Sequence, residues 1–122
     1  MKKHTILICD DEDSVRASLA VVLRKDYSLK FAKNAMEAID AIRENAPDLV
    51  ILDIKMPKID GLYALKEIKK IAPGLGVIML SGYRSIEVAR AATKRGAADY
   101  IIKPLNPEHI LSSVKRVLHS QP

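Results

Sequence analysis

LVILDIKMPKIDG, residues 49–61, decides the fold. Its first four residues form an apolar run bounded by Pro47 on one side and by an acid, Asp53, on the other. So short a run, with no polar residue alternating through it, suits a strand covered on both faces, and therefore a central strand of a parallel sheet. Met56-Pro57 and Asp60-Gly61 are turn chemistry. Leu62, Leu65 and Ile68 then mark a helix that stops before Pro73 and Gly74. One strand, one turn and one helix make a unit.

The chain repeats that unit in both directions. Thr5 to Cys9 (TILIC) is a β-branched apolar run ending in four acids, and Val15, Leu19, Val22 and Leu23 follow on one helical face. Tyr27, Leu29 and Phe31 alternate with polar residues, as in a strand near a sheet edge. Asn34 and Glu37 stand at capping-box spacing ahead of Ala35, Ala38, Ile39 and Ile42. After the central unit, Val77 to Leu80 (VIML) is a fourth strand, followed by Ser81-Gly82. Ser85 is placed to cap a helix carrying Ile86, Ala89 and Ala92, which Gly96 terminates. Tyr100 to Ile102 is a fifth strand ending at Lys103-Pro104. Asn106 caps a last helix with Pro107 at its first position and Ile110, Leu111, Val114 and Leu118 on its buried face.

Five strands alternating with five helices predict an α/β fold, a doubly wound five-stranded parallel sheet covered on both sides. Right-handed crossovers and only five strands favour the order 2-1-3-4-5. At 122 residues the chain is expected to be a single domain, residues 1–122, able to bury one core without disulfides. The single Cys9 suits a reducing compartment. No apolar stretch approaches the roughly 18 residues of a membrane span and no leader opens the chain, so a cytoplasmic location and no membrane partner are expected. The formal charge of +5 invites a nucleic-acid reading. Its basic residues are not clustered in runs, however, and one Phe and four Tyr offer few stacking platforms. Direct nucleic-acid binding is not expected.

In such a sheet ligands sit beyond the carboxyl ends of the strands. Those ends carry Asp10 and Asp11 after strand one, Asp53 after strand three, Ser81 after strand four and Lys103 after strand five. Two carboxylates about 4 Å apart at an effective dielectric near 20 repel by about 4 kcal/mol, and a dication removes that cost. An all-oxygen donor set suits Mg2+, whereas one Cys and three scattered His offer no zinc spacing. A carboxylate beside Mg2+ can attack phosphorus, Lys103 can neutralise phosphoryl charge and Ser81 can donate its hydroxyl to a phosphate oxygen. Glu12 and Asp13 read as solvated helix-cap acids, and Cys9 as a small buried hydrophobe. His4, His109 and His119 read as surface residues, and Met36, Met56 and Met79 as packing.

ICDDEDS, LDIKMPKIDG, MLSGYRS and DYIIKPL resemble, in order and spacing, the motif blocks of two-component response-regulator receiver domains. The resemblance runs from Thr5 to about Leu118. It implies a flavodoxin-like (βα)5 three-layer sandwich acting as a phosphorylation-operated switch. Asp53 then matches the phosphoacceptor, taking a phosphoryl group from the phosphohistidine of a histidine kinase or a histidine phosphotransfer protein. Asp10 and Asp11 match the acid pair that holds Mg2+ with Asp53 and the backbone carbonyl of Lys55. Lys103 matches the phosphate-contacting lysine, whose bond to Pro104 is cis in the family. Ser81 matches the switch hydroxyl and Tyr100 the aromatic switch. Lys55 and Tyr83 occupy positions that tune how long the acyl phosphate survives.

The resemblance further implies a partner, either a separate protein target or a linked output domain, met through helix four, strand five and helix five, with a phosphorylation-dependent homodimer as one form of output. Residues 84–122, which supply that face, carry seven basic and three acidic side chains. No output module is expected within the chain. The product is a changed surface rather than a metabolite, so an enzyme in the metabolic sense is not expected. The alternative is a Mg2+-dependent hydrolase of the aspartyl-phosphate type. Such enzymes carry a second Asp two residues after the nucleophile, and here that place is Lys55. A flavodoxin-like cofactor binder is disfavoured because DDEDS would repel a phosphate.

Overall fold

The computed structural model describes residues 3–54, 59–82 and 86–120. Ten elements alternate along it: β1 (Thr5–Cys9), α1 (Asp13–Leu23), β2 (Ser28–Ala32), α2 (Ala35–Glu44), β3 (Leu49–Ile54), α3 (Ile59–Ile71), β4 (Gly76–Ser81), α4 (Ile86–Lys94), β5 (Asp99–Ile102) and α5 (Pro107–Ser120). All strand pairs are parallel, and the sheet order is β2-β1-β3-β4-β5. The LVIL run is thus the middle strand, which accounts for its lack of polar alternation. The α/β class and the 2-1-3-4-5 order are as the sequence predicts.

Alternation along each strand sorts the core into two layers. Ile6, Ile8, Leu49, Ile51, Ile78, Leu80 and Ile101 pack with α1 and α5. Leu7, Cys9, Val50, Leu52, Val77 and Met79 pack with α2, α3 and α4. Helices therefore cover both faces of the sheet.

The caps follow local chemistry. Asn34 Oδ1 accepts from the Glu37 N–H at 2.9 Å, and Glu37 Oε1 accepts from the Lys33 N–H at 2.8 Å, so α2 opens on a reciprocal capping arrangement. Asn106 Oδ1 accepts from the N–H groups of Glu108 and His109 at the start of α5. Gly96 closes α4 with φ +99°. Its N–H donates to the Thr93 carbonyl, and that of Ala97 donates to the Ala92 carbonyl, the paired bonds of a Schellman end. Ser85 lies outside the described residues.

Three burial expectations need correction. In α4 the buried residues are Val88 and Ala92, which pack into the α2–α3–α4 layer of the core, while Ile86 is exposed on the opposite side. In α5 Ser113 and Val117 join Ile110 and Val114 in the core, and Leu111 and Leu118 are only partly covered. A serine can occupy that interior position because its hydroxyl donates to Asp99 Oδ2 at 2.6 Å, an oxygen that Arg116 also reaches at 2.5 Å. Met36 is exposed rather than packed. The three His side chains are exposed, as expected.

Candidate functional site

Strand register brings the predicted residues together. Cys9 pairs with Leu52, so Asp10 and Asp53 each stand one step beyond the same rung. Ser81 pairs with Ile102, and its carbonyl accepts from the Lys103 N–H at 2.7 Å, which sets Lys103 beside the end of β4. The Lys103–Pro104 bond is cis.

Asp10 is held from several sides. Its N–H donates to the Ala32 carbonyl, extending the β1–β2 ladder. Its Oδ1 accepts from the Glu12 N–H at 2.9 Å, and its carbonyl accepts from Arg16 Nη1 at 2.5 Å. Arg16 is itself tied to Asp13. Arg16 is therefore a positioning residue that the sequence did not announce: an Asp13–Arg16 pair at i,i+3 is an ordinary helix feature, and its grip on a strand-end carbonyl exists only in three dimensions.

The acids converge. Carboxylate oxygens of Asp10, Asp11 and Glu12 lie within 4.8 Å of one another. Glu12 is solvated and stands at the N-cap of α1, as expected, but its side chain makes no cap bond, and its carboxylate lies beside those of Asp10 and Asp11. Asp10 and Asp53 are 2% and 7% exposed. Lys103 Nζ lies 2.8 Å from Asp53 Oδ1 and 3.6 Å from Asp10 Oδ2. The approach to Asp53 is a charge pair off the hydrogen-bonding direction. Among the described residues, neither Asp53 Oδ1 nor Asp10 Oδ2 has a hydrogen-bond partner.

Burial pushes the Asp53 carboxyl up to about 6, helped by the charges of Asp10 and Glu12 and opposed by Lys103. For Lys103 burial disfavours the ammonium, but Asp53, Asp10 and Glu12 outweigh it and the net shift is upward. Two buried, unbonded carboxylate oxygens beside a hard-oxygen cluster are the donor set a divalent cation satisfies, and Mg2+ takes such oxygens readily. Cys9 Sγ, a soft donor nearby, is directed to the Asn34 carbonyl at 3.4 Å. The site residues fit Mg2+. Asp10, Asp11 and Asp53 would hold it and supply a counter-charge for phosphoryl oxygens; Lys55 and Tyr83 lie outside the described residues.

Ser81, the last residue of β4, is fully buried. Tyr100 pairs with Met79 and packs, half-buried, against the α2–α3–α4 layer. Asp10, Asp11 and Asp53 open onto a cavity of about 360 Å³ that continues past Lys33, Asn34 and Met36 to Gly61 and Ala64.

The response regulator receiver domain family matches residues 6–115. The transcriptional regulatory protein ZraR of Escherichia coli (strain K12) is 37% identical over 114 residues, which cover 93% of this chain and 26% of ZraR. The chemotaxis protein CheY of Bacillus subtilis (strain 168) is 36% identical over 118 residues, covering 95% of this chain and 98% of CheY. A CheY-like receiver domain protein from Methanospirillum hungatei JF-1 has a similar structure, with a TM-score of 0.92 at 33% identity, covering 98% of this chain and 97% of that one. The receiver domain of NtrX from Brucella abortus gives a TM-score of 0.88 at 39% identity, covering 95% and 99% of the two chains. The chain thus spans about a quarter of the length of relatives such as ZraR. With its strand order, its strand-end acids and this match over nearly its whole length, the chain belongs to the response regulator receiver domain family.

Proposed function

We propose that the chain is the phosphoacceptor switch of a two-component or phosphorelay system, working on Asp53 with Mg2+. The observation that carries this reading is the buried Asp53 carboxylate held against Lys103 at 2.8 Å beside an unbonded Asp10 oxygen. An Asp53 oxygen forms a bond to phosphorus as the bond from phosphorus to the donor's leaving atom breaks, the leaving atom departing with the electron pair. The donor is the phosphohistidine of a histidine kinase or of a histidine phosphotransfer protein. Lys103 stabilises charge on the transferring group. Asp10, Asp11 and Asp53 would hold the metal, joined by the Lys55 carbonyl as the family resemblance implies, and the metal would supply positive charge against the phosphoryl oxygens.

Ser81 then contacts the phosphoryl group and Tyr100, on the neighbouring strand, follows its movement. The change is read on α4, β5 and α5 by a protein target, by a linked output domain of the kind ZraR and NtrX relatives suggest, or by a second copy of the chain. Exposed Ile86 and the basic Arg90 and Lys94 border a shallow groove there, which favours an acidic partner surface. Among the described residues no helix is long and apolar enough to cross a membrane; the cytoplasmic location is part of the proposal and rests on the receiver-domain family. The chain is a signalling switch, catalysing only its own phosphorylation and dephosphorylation.

Incubation with Mg2+ and a phosphohistidine donor or acetyl phosphate should add one phosphoryl group to Asp53, located by mass spectrometry and lost in Asp53→Asn. Labelling elsewhere, or none while Mg2+ still binds, would overturn the reading. Multiple turnover of exogenous phosphate esters would favour the aspartyl-phosphate hydrolase alternative.

A further inference from the structure

The cavity at the acid cluster does not end there. It runs about 360 Å³ from Asp10, Asp11 and Asp53 toward the first turn of α2, and small side chains, Ala35 and Ala64, keep it open beside Gly61. That volume is within the range of small-ligand sites. Three carboxylates line one end, and among the described lining residues Lys33 is the one base. Lys103 does not line the cavity and is occupied by its pairs to Asp53 and Asp10.

Lys33 is exposed, but its backbone is not loose. The Lys33 N–H donates to Glu37 Oε1 while Asn34 Oδ1 accepts from the Glu37 N–H, so the capping arrangement of α2 fixes the point from which the side chain reaches over the cavity mouth. The polar work of that cap is done entirely by Asn34 and Glu37, which leaves the Lys33 ammonium with no part in starting the helix. No ion pair to it occurs among the described residues.

From these placements we infer that Lys33 is a positioning residue for small anionic phosphoryl donors, an inference that rests on the phosphoacceptor reading above. A doubly charged donor approaching Asp53 enters a cavity lined at that end by the Asp10, Asp11 and Asp53 carboxylates. A cation lining the same cavity, carried on a backbone anchored by the α2 cap, attracts the donor's phosphoryl oxygens before they reach Lys103, raising the encounter rate without touching the reacting atoms. In the step that follows, Asp53 oxygen bonds to phosphorus, the phosphorus–oxygen bond to the acyl group breaks, and acetate leaves with the electron pair.

The test compares native chain, Lys33→Met and Lys33→Arg in labelling by acetyl phosphate, each at a Mg2+ concentration saturating for that variant. Lys33→Met should lose about three- to tenfold in kcat/KM at low ionic strength, and the gap should close to under about twofold at high salt, as expected for a screened surface charge. Lys33→Arg should restore the native value, and dephosphorylation of the labelled chain should be the same in all three. Phosphoramidate, with less negative charge, should be less affected than acetyl phosphate. An unchanged kcat/KM in Lys33→Met overturns the inference. A loss equal at every salt concentration also overturns it, since that would reflect a structural role at the α2 start. If the native chain is not labelled by any donor, the phosphoacceptor reading fails as well, whereas labelling of native and Lys33→Met alike removes this inference alone.

Discussion

Asp53→Asn should make the metal-free chain more stable. Asp53 is almost wholly buried, next to Asp10, and burial raises its carboxyl from 3.8 to about 6. At about 1.4 kcal/mol per pH unit, that interval corresponds to a cost of up to about 3 kcal/mol for keeping Asp53 ionised in the folded chain at neutral pH. The attraction of Lys103 is already contained in that value, so losing the pair adds nothing further.

The sign follows from proton uptake. Between pH 3.8 and about 6 the folded chain binds more protons at this site than the unfolded chain does. The stability associated with Asp53 is therefore fully present below 3.8 and lost as pH rises through about 6. Asn has the same shape and no charge at any pH. Its advantage should be close to zero at about pH 4 and reach its plateau, up to about 3 kcal/mol, above about pH 7. Mg2+ should narrow the gap, since a ligand at a hundredfold excess over its Kd stabilises the native chain by about 2.7 kcal/mol and the variant lacks one ligand carboxylate. Urea unfolding followed by far-UV circular dichroism, with chelator and then with Mg2+, measures all of this. A variant no more stable than the native chain near neutral pH without metal, or a gain independent of pH, would refute the reasoning.

Other expectations follow from the remaining contacts. Ser113→Ala removes a donor to the half-buried Asp99 carboxylate and should cost about 1–3 kcal/mol in chemical denaturation. Burial pushes Asp99 up, but Ser113, the Tyr100 N–H and Arg116 outweigh it and hold its carboxyl below the usual range. Its contribution is present above the unfolded value of 3.8 and lost as pH falls through the lower folded value, so Ser113→Ala should flatten the acid limb of the stability profile. Gly96→Ala forces an L side chain into φ +99°, with its Cβ 3.0 Å from Lys69 Cε, and should destabilise by about 1–2 kcal/mol as read from the thermal midpoint. Arg90→Glu with Arg95→Glu should weaken partner binding and reverse its salt dependence while leaving Asp53 labelling intact; unchanged binding would mean the basic face is incidental.

Much of the architecture was legible because it depends on local pattern. A buried parallel strand must be apolar on both faces, so LVIL and VIML declared themselves, and capping residues such as Asn34 and Asn106 marked helix starts whose hydrogen bonds are seen. Acids at strand ends pointed to one place because parallel strands deliver their carboxyl ends to one edge. Helix faces were less legible. In α4 and α5 a stripe of mixed Ala, Val, Leu and Ser leaves the rotation about the axis open, and the partner across the interface decides it. Ser113 is buried because Asp99 stands opposite, a fact with no local signature.

Sequence alone therefore determined the order of strands and helices, the sheet's parallel character and which acids reach its edge, since each depends on periodicity and chain connectivity. Only the tertiary structure decided which atoms meet. Register set Asp10 level with Asp53, the β4–β5 pairing carried Lys103 to 2.8 Å from Asp53 Oδ1, Arg16 held the Asp10 carbonyl, and the N-cap residue Glu12 came to stand with Asp10 and Asp11. Those contacts join residues far apart in the chain or separated by a turn, and their energies depend on burial and distance, which one-dimensional spacing does not contain.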